Sequence, residues 1–242
     1  MRASSLTDVG RNRDLNEDSV YCSVHPEGNL ENLFILADGM GGHKAGEIAS
    51  GMAIDLFLRA VRRDEGLNPI TIMNRAIQAA NSILFEKSQS SESFRGMGTT
   101  FVACSVKEDT LFIANVGDSR LYVVGDSIRQ ITRDHSLVEE LVDEGRIDRD
   151  SPEYHHQKNI ITRAVGIMPQ VQADFFEIEL EHGEAVLMCS DGLSNMVDDE
   201  RIAQIVREET DPDTCVRLLV EEANYNGGRD NISVVLIRPE EE

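Results

Sequence analysis

Residues 34–39 read Phe-Ile-Leu-Ala-Asp-Gly, an apolar run that ends in an acidic residue followed by glycine. Such a run predicts a buried β-strand, which would hold its last carboxylate, Asp38, at the rim of a sheet. Two later apolar runs end in the same way, at Asp118 and at Asp191, and Asp230 stands just before the last apolar run. Four carboxylates at strand ends predict one shared acidic rim.

Carboxylates that converge repel one another by kilocalories unless cations lie between them. Any one of these Asp residues could equally belong to an ordinary turn between strands, so the weight of the pattern lies in its repetition. Glu17, in the polar stretch 16–18, adds a further candidate, and Gly39 would let a ligand approach the backbone closely. Oxygen donors of this kind favour the hard cations Mg²⁺ or Mn²⁺, and Ca²⁺ less.

The remaining periodicities predict a mixed α+β domain. Apolar residues at three- and four-residue steps predict one long helix from residue 45 and another from Pro69, with Asn68 as N-cap of the second. Strands in runs and helices in pairs favour α+β over alternating βαβ units. The predicted strands are 19–24, 32–37, 99–106, 110–116, 120–124, 175–180, 185–190 and 232–237, and shorter helices are predicted at 136–144, 198–208 and 212–223.

Length and composition narrow the class further. The 242 residues contain no repeat and no Pro/Gly/Ser-rich linker, which predicts a single domain over 1–238 and an acidic tail at 239–242. The net charge of −21 repels nucleic acid and anionic lipid, so neither is an expected partner. No apolar run has membrane length, and the four cysteines are widely spaced, which predicts a reduced, cytoplasmic protein. The polar stretch 145–170 is long for a connection, which is typical of a functional flap.

Two further residues are candidates for chemistry. His43 lies in the glycine-rich stretch 38–47, which matches neither common nucleotide-binding pattern. Alone it would be an ordinary loop histidine, but beside a metal cluster an imidazole is the usual proton donor near neutral pH. Arg13, four residues before Glu17, is either a solvated surface arginine or a bidentate clamp for phosphate. The absence of a Cys-x5-Arg stretch excludes cysteine-based phosphatase chemistry.

As a set, eight stretches resemble the metal-dependent protein phosphatases of the protein phosphatase 2C (PPM) family, especially its compact bacterial members. The chain departs from that family at 155–159, where relatives often have His-Pro-x-Arg-Asn and this sequence has His-His-Gln-Lys-Asn. The eight stretches follow the family's order and begin at the residue given: TDVGRNRDLNEDSV (7), ILADGMGGHKAGEIAS (35), GMGTTF (96), IANVGDSRLYVV (113), ITRDHS (131), NIITRAVG (159), LMCSDGLSN (187) and GRDNISVVLI (228).

The resemblance implies a four-layer α-β-β-α sandwich, in which helical layers flank two central antiparallel sheets. It also implies two tightly bound Mn²⁺ or Mg²⁺ ions at one end of that sandwich. Asp38, Asp191 and Asp230 would hold the first ion. Glu17, Asp38 and the carbonyl of Gly39 would hold the second, so that Asp38 bridges the pair.

The same resemblance implies the remaining parts of an active site. Asp118 with Asp191 would serve a third, weaker metal ion. Arg13 would bind the phosphoryl group, and His43 resembles the general-acid position. The region from about 137 to 172 resembles the family's flap.

The activity that the resemblance implies is hydrolysis of phosphoserine and phosphothreonine on proteins. A metal-activated bridging water would attack phosphorus in line, without a covalent intermediate. Expected partners are phosphorylated proteins and a cognate bacterial Ser/Thr kinase, and a monomer is expected.

Three alternatives stay open at this stage. A catalytically dead family member acting as a binding module would have lost metal ligands, whereas the full carboxylate set is present. A sporulation or stress-response phosphatase would usually carry a sensor domain and depart from the motif around Arg13. An acidic metal-storing or structural protein would not need Arg13 and His43 beside its carboxylates.

Overall fold

Strands and helices alternate in groups along the chain. The structure is a computed structural model that describes residues 1–42, 45–149 and 151–239, without the side chains of 155 and 156. Of the predicted tail, only Pro239 is described. No helix in these ranges is long and apolar enough to cross a bilayer. The strands are β1 (Arg2–Asp8), β2 (Asp18–Ser23), β3 (Leu33–Met40), β4 (Gly98–Thr99), β5 (Phe101–Lys107), β6 (Thr110–Val116), β7 (Arg120–Val124), β8 (Ile128–Gln130), β9 (Asp174–Glu179), β10 (Ala185–Cys189) and β11 (Ile232–Arg238). The α-helices are α1 (Ala45–Val61), α2 (Pro69–Gln89), α3 (Leu137–Asp143), α4 (Pro152–Gln157), α5 (Asp191–Ser194), α6 (Asp199–Glu208) and α7 (Pro212–Tyr225).

The strands form two antiparallel sheets. One has the order β1-β11-β10-β7-β8, and the other has the order β2-β3-β5-β6-β9 with β4 paired to β3. Helices α1 and α2 pack on the outer face of the second sheet, while α6 and α7 pack on the outer face of the first. A third apolar cluster fills the space between the sheets. The predicted four-layer α-β-β-α sandwich is therefore confirmed.

Strand β3 shows why the deciding sequence run is apolar throughout. Successive side chains of a strand point to opposite faces, so Leu33 and Ile35 pack under the helices while Phe34 and Leu36 point between the sheets. All four side chains are fully buried. A strand covered on both faces cannot carry polar residues until it reaches the rim, which is where Asp38 stands.

The structure also differs from the sequence-based expectations. Strand β1 was not predicted, because its sequence is largely polar; it pairs along its whole length with β11 as an edge strand. Helix α4 lies in a stretch predicted to be irregular and begins at Pro152 after the N-cap Ser151. The predicted N-cap Asn68 is confirmed, since its side chain accepts from the N–H of Thr71 at 2.9 Å.

Residues 137–160, which include α3 and α4, form a loop that closes on its own base; we call it the flap loop. The N–H of Leu137 donates to the carbonyl of Ile160 at 2.8 Å, and Ser136 forms a β-bridge with Ile161. The loop therefore leaves the sandwich and returns to it at one point.

The segment after the flap loop, residues 162–172, is anchored along α2 and the second sheet. Val165 pairs with Thr99 in a β-bridge. Buried Asn81 on α2 accepts from the N–H of Gly166 at 2.8 Å and donates to the carbonyl of Met168 at 3.1 Å. This segment belongs structurally to the sandwich.

Candidate metal centre

The strand ends bring the predicted carboxylates to one end of the sandwich. Asp38 lies near the end of β3, opposite Asp18 at the start of β2. Asp191 follows β10, Asp118 lies in the turn between β6 and β7, and Asp230 lies in the loop before β11. Burial raises the pKa of Asp38 well above its usual range, and the charges of the other four carboxylates raise it further. The five side chains therefore share one electrostatic environment.

The backbone at Asp38 and Gly39 is held from both sides. The N–H of Asp38 donates to Thr100 Oγ1 at 2.9 Å, and its carbonyl accepts from the N–H of Thr100 at 2.9 Å. The N–H of Gly39 donates to the carbonyl of Glu17 at 3.1 Å. A Cβ atom on Gly39 would lie 2.1 Å from the carbonyl oxygen of Gly46, so only glycine lets α1 begin this close to β3.

Asn231 ties the loop that carries Arg13 to the sheets. Its Nδ2 donates to two backbone carbonyls of residues 9–15 at 2.9 Å each, and its Oδ1 accepts from the N–H of Glu17 at 2.8 Å. Arg13 Nη2 in turn donates to Asp230 Oδ2 at 2.8 Å. Sequence reasoning missed Asn231, although it directly follows a candidate carboxylate and lies in one of the stretches quoted for the family resemblance.

Two buried carboxylate oxygens at this end have no hydrogen-bond partner. They are Glu17 Oε1 and Asp18 Oδ1. The other oxygen of Asp18 accepts from Ser190 Oγ at 2.8 Å, which fixes the side chain with its free oxygen still buried. Buried polar atoms are almost always satisfied, and a carboxylate oxygen can be satisfied by a cation. The site therefore fits a divalent metal ion, and Asp18 is a functional candidate that the sequence prediction passed over in favour of Glu17.

The raised pKa values of the carboxylates also fit a site for a metal ion. Burial raises the pKa of Asp18 and of Asp118 to about 7, and that of Asp191 to about 6. Burial also raises the pKa of Glu17, although the charge of Arg13 opposes the shift. As they stand, no three His, Cys, Asp or Glu side chains of the described residues form a ready metal-binding group. The carboxylates would therefore need to rotate in order to share an ion.

Asp118 lies in a small pocket that also contains Asp191 and three residues of the flap loop. Those residues are Tyr154, Lys158 and Asn159. The charge of Lys158 acts to lower the pKa of Asp191, against the dominant effect of burial. Asn195 donates to Asp191 Oδ2 at 3.0 Å. The flap loop thus brings a cation to the acidic pocket.

The structure places most of the predicted site residues at this end of the sandwich. Glu17, Asp38, Gly39, Asp118, Asp191, Asp230 and Arg13 are all among them. The predicted general acid, His43, lies outside the described residues, and so do the side chains of His155 and His156.

The stability of the metal-free protein is expected to fall as pH rises from about 4 to about 7. Over that range the folded chain keeps protons on Asp18 and Asp118 that the unfolded chain, with a pKa near 4, has released. A loss of about 2 kcal/mol would lower Tm by roughly 4–8 °C for a chain of this size. Calorimetric melting in EDTA would measure it. Excess Mn²⁺ should remove the fall, and an EDTA melting curve independent of pH would contradict the shifted values.

Together, the fold and the site define a metal-dependent enzyme that acts on an anionic substrate. The rigid strand ends supply oxygen donors for hard cations. Arg13, with a side chain 47% exposed at the edge of the carboxylates, supplies a cation that an incoming anion can reach.

Comparisons with known proteins agree with this class. A family profile described as Protein phosphatase 2C matches residues 3–232. The serine/threonine phosphatase Stp of Listeria innocua is 38% identical over 98% of this chain and 95% of its own length, and the protein phosphatase PhpP of Streptococcus pneumoniae is 39% identical over 100% and 99%. The solved serine/threonine phosphatase of S. agalactiae superposes with a TM-score of 0.92 at 36% identity over 99% of both chains. The PstP catalytic domain, solved in complex with two manganese ions, superposes with a TM-score of 0.84 at 35% identity over 97% of this chain and 96% of its own.

The chain therefore belongs to the protein phosphatase 2C family. It is a metal-dependent serine/threonine protein phosphatase.

Proposed function

We propose that the acidic end of the sandwich holds two metal ions tightly. Asp38, Asp191 and Asp230 hold one, and Glu17, Asp38 and the carbonyl of Gly39 hold the other. The observation that carries this assignment is the buried Oε1 of Glu17, which has no hydrogen-bond partner beside Asp38. The unpartnered Oδ1 of Asp18, across from Asp38, supports a cation at the same place. Calorimetric titration of the metal-free protein with Mn²⁺ tests the assignment. We expect two tight binding events and one weaker event, and a single event would contradict it.

The third, weaker ion belongs to Asp118 and Asp191. These side chains share a pocket that is lined partly by the flap loop. A site with few protein ligands keeps more water, so its affinity is lower. When bound, the ions supply a water activated for attack on phosphorus and neutralise charge on the phosphoryl oxygens.

The side chains of the chain have separate tasks in this mechanism. The strand-end carboxylates set the positions of the cations, because strands covered on both faces fix the backbone from which these side chains extend. Arg13 orients the phosphoryl group at the edge of the site. The reaction proceeds without a covalent intermediate, and a protonated side chain at the leaving oxygen completes it.

Replacement of Arg13 is expected to weaken substrate binding more than turnover. Arg13→Ala removes hydrogen bonds to a charged group, worth about 1.5–3 kcal/mol, which should raise KM for a phosphopeptide about 10–100-fold. Arg13→Lys should lie between Ala and wild type, since it keeps the charge but loses the fork. Steady-state kinetics on one phosphothreonine peptide would measure both constants.

Arg63→Ala is the matched control, because it removes one exposed arginine beyond the far end of α1, at least about 25 Å along the helix from the site. A fall in kcat with unchanged KM for Arg13→Ala would assign Arg13 to the transition state alone.

His43 is proposed as the general acid on the sequence resemblance. His43→Ala should lower kcat for phosphoserine peptides much more than for p-nitrophenyl phosphate, because nitrophenolate leaves with little need of a proton. The comparison of the two kcat ratios measures the role. An equal loss on both substrates would remove His43 from it.

The biological setting that we propose is a cytoplasmic monomer acting on phosphorylated proteins opposite a cognate Ser/Thr kinase. All four cysteines lie in the described residues as free thiols, which fits a reducing compartment. The full carboxylate set favours an enzyme over a binding module.

A further inference from the structure

His135 is the residue at which the Asp118 turn and the base of the flap loop meet. The N–H of His135 donates to the carbonyl of Gly117 at 2.9 Å, and its ring Nδ1 accepts from the N–H of Gly117 at 3.0 Å. The carbonyl of His135 accepts from the N–H of Thr162, just after the flap loop, at 2.8 Å. One residue thus binds the peptide before Asp118 on one side and the return of the flap loop on the other.

The geometry fixes the tautomer of the imidazole. A backbone N–H can only donate, so Nδ1 must be unprotonated and the ring proton of the neutral form lies on Nε2. Nε2 is 3.1 Å from Asp174 Oδ2, and the other oxygen of Asp174 accepts from Arg163 Nη1 at 3.1 Å. His135 is 4% exposed, and burial lowers its pKa, which favours the neutral ring that this arrangement needs.

Gly117 transmits this constraint to Asp118. Its φ of +107° is a conformation that favours glycine, and a Cβ atom there would meet the side chain of Thr100 at 2.7 Å. Gly117 is therefore held by the imidazole of His135 at its N–H, by the N–H of His135 at its carbonyl, and by the side chain of Thr100 against its Cα. A rotation of the backbone at Gly117 would turn the carboxylate of Asp118 out of the pocket it shares with Asp191.

We propose that His135 is a positioning residue that orients Asp118 toward the metal pocket and fixes the flap loop relative to it. The inference rests on the proposed role of Asp118 at the third ion. It assigns a function to a histidine that lies in one of the stretches quoted for the family resemblance, ITRDHS, and to which the sequence analysis gave no role. Loss of a group that orients a metal ligand without touching the metal typically lowers metal affinity or activity about 10–100-fold.

Two variants separate the two ring nitrogens. His135→Asn places an acceptor near the position of Nδ1 and keeps the bond to Gly117, whereas His135→Gln reaches toward Asp174 and loses that acceptor. We expect His135→Gln to raise the Mn²⁺ concentration for half-maximal activity about 10–100-fold, and His135→Asn to raise it far less. Calorimetry should still find the two tight ions in both variants. His25→Ala, an exposed histidine away from the site, is the control.

A double-mutant cycle tests whether His135 acts through Asp118. In an Asp118→Asn background, His135→Gln should cause no further loss of turnover, because the group it positions is already neutral. A full additional loss would overturn the proposal, as would equal Mn²⁺ dependence of the Asn and Gln variants. Imidazole ¹⁵N shifts of the wild-type protein give a readout that needs no variant to fold, and a proton on Nδ1 would also overturn it.

The results that would overturn the role of His135 differ from those that would overturn the proposed third metal site. That failure would appear in Asp118→Asn alone, as wild-type turnover and wild-type Mn²⁺ dependence before His135 is changed. Failure of the present proposal appears only in the His135 variants or in the ring tautomer.

Discussion

Removal of divalent metal with EDTA is expected to lower phosphatase activity by at least about 1000-fold, corresponding to about 4 kcal/mol of transition-state stabilisation. The physical reason is the negative charge of the metal-free site. Six carboxylates meet at this end of the sandwich, those of Glu17, Asp18, Asp38, Asp118, Asp191 and Asp230. Arg13, Arg120 and Lys158 are among the cations near them. A phosphate dianion cannot approach such a site until cations neutralise it.

The measurement is turnover of a phosphothreonine peptide before and after EDTA, with metal content checked by elemental analysis. Excess Mn²⁺ should restore the activity, and a circular-dichroism spectrum should show that the fold survives without metal. Full turnover in a preparation proven free of metal would eliminate the mechanism proposed here.

The second large effect is expected for Asp118→Asn, with turnover reduced by at least about 100-fold at moderate Mn²⁺. Asn has the shape of Asp but lacks the charge that holds a third cation. Because burial raises the pKa of Asp118 to about 7, the neutral amide should not destabilise the metal-free fold. We therefore expect two tight ions by calorimetry, an unfolding temperature at or above that of the wild type, and partial recovery of turnover at high Mn²⁺.

Asp109→Asn is the matched control for this variant. Asp109 precedes β6 and Asp118 follows it, so the two carboxylates flank the same strand at opposite ends, about 23 Å apart. Asp109→Asn should keep wild-type kinetics. Loss of the tight pair or of the fold in Asp118→Asn would make Asp118 a central ligand or a structural turn residue.

The strand-end pattern predicted the meeting of the aspartates because its cause is local. An apolar run has to lie inside a sheet, and the acidic residue after it then has to lie at the rim, whatever the topology. The same logic predicted the strands in the middle of the chain. It could not predict β1, because an edge strand with a polar face lacks the apolar run on which the inference depends.

Local sequence patterns cannot predict contacts between segments that are distant in the chain. Asn231 reaches across more than 200 positions to hold the loop of Arg13, and no local pattern marks an asparagine for such a task. The same is true of His135, whose importance depends on the return of the chain at Thr162. Asp18 was overlooked because adjacent acidic residues look alike in sequence, and only the strand register shows which one faces Asp38.

The closed base of the flap loop allows residues 137–160 to vary as one unit. Because the Ser136–Ile161 bridge joins the two ends of this loop, its length and composition can vary without moving any strand of the sandwich. Insertions at such a point cost little, since each doubling of loop length adds only about 0.6 kcal/mol of closure entropy. Selection can therefore rewrite the surface that meets a substrate while the strand ends that carry the carboxylates stay fixed. The same junction offers protein engineers a place to graft foreign recognition loops onto an unchanged catalytic body.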